Sequence, residues 1–480
     1  MSHNTLVDSR FDIGSCGVAM VADLHGRRSR QVLDHGFEAL GNMAHRGGVD
    51  ADGETGDGAG ALMELPKSFF ADVVERITDK RPIESDLSVG FFFLPQQSAV
   101  RQVVYNIINT TFARFGLRIL AWRLVPHNGS LLGPLARSTM PYLKQVILGR
   151  GATGGQPWSD DEYEKRLYLA RRVIDSALVQ AGYGDVYIPS LSARTIVYKG
   201  LLRAGQLAEF YMDLKDERFQ TAYIIVHVRF GTNTFPKWEL AHPYRGVAHN
   251  GEINTILGNR NWMRAREQEL ISAVWGDDVR LFKPLLLDDE SDSASLDRVL
   301  ELLVLSGYDP IHALMRLMPE PWENKTHLPP ELQGFFEFQA MQQEPWDGPA
   351  LVAFAANNMV GAKLDRNGLR PARFKVYQNG LIVLGSEVGI VDLPEREVVT
   401  KGRLKPGQMI AIDMTTGQFY NYNACRAHVA RLQPYADWVE QNLCSLAAMT
   451  AADRDAVEID PEQMLREQIK WLDAVIITHA

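Results

Sequence analysis

The sequence predicts a layered α+β domain with largely antiparallel sheets. Short apolar runs of strand character recur along the chain, and amphipathic helix-like stretches separate them without the strict alternation of a doubly wound fold. Size agrees with this: 480 residues, 46% hydrophobic and 23% charged, suffice for a large core.

In chain order, residues 18–22 read as a short buried strand. Residues 31–44 read as a helix with Val32, Leu33, Phe37, Leu40 and Met43 clustered on one side. A glycine-rich loop, HRGGVDADGETGDGAG, follows from 45 to 60. Further apolar strands are expected at 89–94, 117–124, 222–228, 351–354 and 381–384. Ser159 and Glu162 have capping-box spacing, and Tyr163, Leu167, Ala170, Ile174 and Ala177 then repeat at helical period. From about residue 430 the chain reads as helical and less tied to the strand-rich body. Internal repeats and low-complexity tracts are absent.

A formal net charge of -9 and a pI near 5.8 argue against a nucleic-acid footprint, which would want a basic surface. Small molecules and proteins are the expected partners. Three cysteines, Cys16, Cys425 and Cys444, are too scattered for a disulfide framework or a zinc site, and point to a reducing compartment. No apolar run reaches the roughly 20 residues that span a bilayer, and residues 1–15 lack the basic start and apolar centre of a secretory signal. A cytoplasmic location without membrane contact is expected.

Two loops invite ligand readings that their residues do not sustain. Asp50, Asp52 and Glu54 have the alternate spacing of a calcium loop, but Thr55 and Ala61 stand where such a loop needs Gly and Glu. GRGATGG at 149–155 precedes a helix but lacks the Lys-Ser/Thr of a phosphate cradle. We expect no bound metal, a flexible-backbone loop in the first case and a surface connection in the second.

Chemistry enters with Cys16-Gly17 and the distant run HNGEINT at 249–255. A thiol on the first residue of a trimmed chain has its own base, because a free α-amino group has a pKa of about 7.7 to 8.0 while an amide nitrogen is no base. An Asn-Gly pair can supply two donors to an oxyanion. Taken singly, a lone cysteine is more often a small buried apolar residue, and Asn-Gly more often a tight turn. Together they suggest hydrolysis of an amide.

With these, HRGGVDADGETGDGAG, HVRFGTNTFPKW (227–238), SDSASLD (291–297), EPWDGPA (344–350), LDRNGLRP (364–371) and SEVG (386–389) complete eight ordered motifs. In that order they resemble the class II glutamine amidotransferase domain of the glutamate synthases, an N-terminal-nucleophile hydrolase, over residues 16 to about 425. The resemblance implies a four-layer αββα sandwich with antiparallel sheets and the nucleophile at the end of a central strand. It implies Cys16 as nucleophile, with the Asn250 side chain and the Gly251 N–H as oxyanion donors. It further implies Arg229 for the substrate α-carboxylate, Asp292 for the α-ammonium, and Thr232 in the substrate segment. His45, Arg46, Arg366, Arg370 and Glu387, with Ser386, fall in supporting loops. Val228 and Gly231 depart from the family's usual HQRFSTNT, which has Gln and Ser there.

The expected organisation is a propeptide at 1–15, the amidotransferase domain at 16–430, and a helical tail or the start of a missing linking domain at 431–480. The resemblance implies L-glutamine as substrate and ammonia handed to an FMN-binding synthase domain or chain that converts 2-oxoglutarate to glutamate. An iron–sulfur cluster and a reductant, NADPH or ferredoxin, belong to that synthase part or to partner chains, with a small reductase subunit as a further partner. No cofactor is expected in this segment. A truncated or split large subunit is favoured over a stand-alone amidotransferase. The alternatives are a catalytically silent glutamine-binding or regulatory module and a class II amidotransferase serving another acceptor.

Overall fold

The structure, a computed structural model, describes residues 16–229, 237–287, 290–325, 327–444, 460 and 462–466. Its centre is two stacked sheets. One has seven strands in the order Val398–Arg403, Arg373–Tyr377, Leu381–Gly385, Gly17–Asp23, Tyr223–Val228, Ala59–Glu64 and Thr195–Gly200. The other has five, Val247–Gly251, Ala350–Ala356, Met359–Leu364, Met409–Asp413 and Gln418–Tyr420. Every pairing within both is antiparallel.

The period-2 alternation of strand side chains builds the layers. Val18, Met20 and Ala22 of the first strand point between the sheets, where they meet Ala248, Leu351, Ala353, Val360, Ala362 and Ile410. Their neighbours Ala19 and Val21 point the other way, onto Val32, Leu33, Ala39 and Leu40 of the helix Arg30–Asn42. A strand covered on both faces needs an unbroken apolar run, which is why GVAMVAD shows no polar alternation. The outer face of the five-stranded sheet, with Val247, Val352, Phe354 and Met409, packs on the helices Asp292–Leu305, Pro310–Leu317 and Pro330–Gln342. The order is helices, sheet, sheet, helices.

Four of the expected strands lie in these two sheets, at Gly17–Asp23, Tyr223–Val228, Ala350–Ala356 and Leu381–Gly385. The other two, found at Leu87–Leu94 and Arg118–Leu124, belong to a separate four-stranded sheet with Tyr142–Gly149 and Tyr187–Ser192. The capping contact at Ser159 is present: its hydroxyl accepts from Glu162 N at 3.2 Å at the start of the helix Asp160–Gln180. GRGATGG forms a tight hairpin of two-residue strands, Ala152–Thr153 and Gln156–Pro157. The helix Tyr435–Asn442 packs on Pro330–Gln342, with Tyr435 rings 5.4 Å from Phe335 and 5.3 Å from Phe338. None of the described helices is long and apolar enough to cross a membrane.

Candidate active site

Cys16 immediately precedes the first strand, in the middle of the seven-stranded sheet. Its neighbour Val18 is held on one side by Ser386, whose backbone N–H donates to Val18 O at 2.9 Å and whose hydroxyl accepts from Val18 N at 3.2 Å. On the other side Gly17 pairs with Val228 and Val18 with His227. The backbone that presents the thiol is therefore fixed by both neighbouring strands.

Asn250 reaches it from the second sheet. In Val247–Gly251, Ala248 and Asn250 face the first sheet while Val247 and His249 face the helices, as alternation requires. Fully buried, Asn250 donates from Nδ2 to the Cys16 carbonyl oxygen at 2.6 Å. One amide proton is thus given to the Cys16 backbone, and the amide oxygen Oδ1 is buried without a partner among the described residues. Gly251 has φ +134°, and a Cβ there would lie 1.8 Å from Pro349 O. Gly348 reciprocates with φ +156° and a would-be Cβ 2.0 Å from Glu252 O. Only paired glycines let EPWDGPA and HNGEINT lie backbone to backbone.

The charges around the thiol come from three loops. Burial pushes the Cys16 thiol up to about 11; Arg229 pulls it down, Asp57 adds to the rise, and Arg370 pulls it down again. Arg229, just past the strand Tyr223–Val228, has φ +86° and stands 3.8 Å from Asp57 by its Nε. A positive φ on a non-glycine residue is a local strain that accumulates at functional sites. Asp57 Oδ1 accepts from Gly48 N at 3.0 Å, so the glycine-rich loop delivers a carboxylate to the site.

Asp292 opens the helix Asp292–Leu305. Its Oδ2 accepts from Ile253 N at 2.8 Å, and its Oδ1 from Ser293 N at 2.6 Å and Ser293 Oγ at 3.0 Å. SDSASLD and HNGEINT therefore meet.

The supporting residues form two separate clusters. Glu387 Oε2 lies 3.1 Å from His45 Nε2 and 3.0 Å from an Arg46 terminal nitrogen. Arg366 pairs with Asp347 at 2.8 Å, and Arg370 Nε donates to Pro349 O at 3.3 Å. Thr232 and Gly231 lie outside the described residues. Val228 points away from the inter-sheet space: its methyls stand where a Cβ on Gly17 or Gly47 would come within 2.7 and 3.1 Å.

Residues 16–438 match the family of class-II glutamine amidotransferases. The chain belongs to this family. Among curated proteins it is similar to the glutamate synthase (NADPH) large chain of Bacillus subtilis, at 39% identity over 96% of this chain and 29% of that one. It is 40% identical to ferredoxin-dependent glutamate synthase 2 of Synechocystis sp., over 95% of this chain and 29% of that one. The glutamate synthase (NADPH) large chain of Azospirillum brasilense is 40% identical over 95% of this chain and 30% of its own. The chain thus spans less than a third of the length of these relatives. Among solved structures, glutamine phosphoribosylpyrophosphate amidotransferase from B. subtilis with ADP and GMP matches at 13% identity and a TM-score of 0.27, over 70% of this chain and 49% of that one.

Against this amidotransferase pattern, the structure adds polar groups that sequence reasoning passed over. Asp57 and Ser293 are two. A buried imidazole set is another: His227 stacks on His242 with centroids 4.4 Å apart, and His249 follows at 6.5 Å from His242. Their signal was positional: His227 lies two residues before Arg229, and His249 adjoins Asn250. Among the described residues no group of three or more His, Cys, Asp or Glu could hold a metal. The free cysteines do not fit an iron–sulfur cluster, which takes about four thiolates: Cys425 is buried with its thiol pushed up to about 12, and Cys16 and Cys444 lie on other segments.

Proposed function

We propose that this chain hydrolyses L-glutamine through a thioester on Cys16, giving glutamate and ammonia, as the amidotransferase part of a glutamate synthase. The observation that carries this reading is the Asn250 amide at 2.6 Å from the Cys16 carbonyl oxygen, which joins two motifs 234 residues apart around one thiol. The glutamate synthase relatives, matched over nearly all of this chain, support the assignment to that enzyme.

In this reading, removal of residues 1–15 frees the Cys16 α-amino group. A thiol pushed up to about 11 needs a base near physiological pH, and an amine with a pKa of about 7.7 to 8.0 can take its proton directly or through one water. Sulfur adds to the γ-amide carbon, and the oxyanion is received by Asn250 and the Gly251 N–H. Collapse breaks the C–N bond, and the proton held by the amine passes to the departing nitrogen, which leaves as ammonia. Water then cleaves the thioester, returning the thiol and releasing glutamate. Arg229 offers a planar fork for the α-carboxylate and Asp292 a carboxylate for the α-ammonium.

The ammonia serves a synthase site, elsewhere in a longer protein or on a partner chain, that converts 2-oxoglutarate to glutamate. FMN, an iron–sulfur cluster and NADPH or ferredoxin belong there, with a small reductase subunit as a further partner, and no step above uses them. The test is twofold: amino-terminal sequencing of the active protein, and glutamate and ammonia release from glutamine. Activity in a chain that begins upstream of Cys16 would overturn the mechanism. No glutamine hydrolysis by a chain that begins at Cys16 would overturn the function.

A further inference from the structure

We infer that His249 and Ser293 form a directed hydrogen-bond relay that positions Asp292, making the Ser293 hydroxyl a determinant of selection for a substrate bearing an α-ammonium group. This rests on the assignment of Asp292 to that ammonium.

The direction follows from which atoms can give a proton. Asp292 Oδ1 accepts from the Ser293 N–H at 2.6 Å, so the Ser293 hydroxyl, 3.0 Å from the same oxygen, donates its one proton there as well. The hydroxyl oxygen then accepts from its other neighbour, His249 Nδ1, at 2.7 Å. His249 therefore carries its proton on Nδ1, leaving Nε2 as the bare nitrogen. That matches its surroundings: Nε2 is buried without a hydrogen-bond partner, which suits a proton-free imidazole nitrogen far better than an N–H. Burial lowers the proton affinity of His249, which favours the neutral ring, and the Ser293 contact selects the tautomer.

The backbone that carries the ring is fixed. The backbone N–H of His249 donates to His242 Nδ1 at 3.4 Å, and its carbonyl accepts from His227 Nε2 at 3.0 Å. Asp292 is held from the other side by Ile253 N at 2.8 Å. Three protein donors thus occupy most of the four or so lone-pair directions of the carboxylate and fix its plane. What remains is a small, oriented acceptor, suited to one ammonium rather than to any cation. Ser293 touches no reacting atom in this scheme; it is a positioning residue, and the discrimination passes through Asp292.

The experiment compares two ligands on the full chain matured at residue 16. L-glutamine carries the α-ammonium, and glutaramate is the same amide and carboxylate without it. Binding is measured by calorimetry in a Cys16→Ala background, which separates recognition from turnover. Ser293→Ala should weaken glutamine binding about tenfold, the scale of a lost hydrogen bond to a charged group, and leave glutaramate binding within about twofold. Ser293→Thr, which keeps the hydroxyl, should restore glutamine binding. His249→Phe should act in the same direction as Ser293→Ala.

Parallel weakening of both ligands would reveal a merely structural role and overturn the relay, as would unchanged glutamine binding. Selective weakening in a protein whose Cys16 form fails to hydrolyse glutamine would keep the relay and overturn the proposed function. Absence of glutamine binding in the Cys16→Ala background would overturn both.

Discussion

His227 donates from Nε2 to the carbonyl oxygen of His249 at 3.0 Å, across the gap between the two sheets. The strand that leads into Arg229 is thereby tied to the strand that ends with Asn250 and Gly251. Arg229 and the Asn250-Gly251 pair, the groups proposed above for the carboxylate and the oxyanion, thus sit on or beside strands joined by one buried imidazole.

Acid should destabilise the fold around this tie, because a charged ring is costly to bury there. Burial holds His227 down to about 3 and His242 and His249 below the ordinary histidine value of 6.5. A folded pKa below the unfolded one means that the unfolded chain binds more protons, so stability is complete above about pH 6.5 and is lost as pH falls through about 3. The loss approaches 1.4 kcal/mol per pH unit for each such ring. Thermal midpoints recorded from pH 7 to pH 3 should fall steadily, and His227→Phe should flatten the slope. A midpoint flat to pH 4 in the unaltered protein would contradict the buried neutral state.

Cys16→Ala should abolish glutamine hydrolysis while glutamine binding stays measurable by calorimetry. The thiol is the only group in the scheme that bonds to the substrate. Residual turnover at more than background level would reassign the nucleophile.

Asn250→Ala should lower kcat by about 100- to 1,000-fold, the usual result of removing one oxyanion donor. Its side chain also carries the 2.6 Å bond to Cys16 O, so a modest fall in thermal midpoint should accompany the kinetic loss. A raised KM with unchanged kcat would place Asn250 in ground-state binding instead.

Arg229→Lys replaces a planar fork with a point charge and should raise KM for glutamine by about tenfold, with a smaller effect on kcat. The arginine is partly open to solvent and stands 3.8 Å from Asp57, so folding should be little affected. Steady-state kinetics beside a thermal melt would test both parts, and equal KM values would remove Arg229 from carboxylate recognition.

The central strands were legible because burial on both faces leaves an uninterrupted apolar signature, as in GVAMVAD and ALVAFAA. Strands such as Ala59–Glu64 were hidden, because it begins inside a glycine-rich run whose small residues are required by close approach: a Cβ on Gly60 would lie 2.3 Å from His242 O. Membership of a sheet was harder still. Nothing local to 89–94 or 117–124 says that they form a separate sheet, since strand pairing is a long-range property. For the candidate site, motif order brought Cys16, Asn250, Gly251, Arg229 and Asp292 into view together. Asp57, Ser293 and the three histidines escaped because their roles lie in contacts between segments far apart in the chain.

Val228 stands beside the strand that follows Cys16, its methyls filling the room that Gly17 and Gly47 leave vacant. The three positions therefore share one packing volume. A bulkier residue at 17 would press on Val228 and Met43, and one at 47 on Val228 and the Ala44 carbonyl, so a smaller residue at 228 should ease the cost of either without removing it. Residue 228 is accordingly answerable to the rear of the strand and not to the space between the sheets.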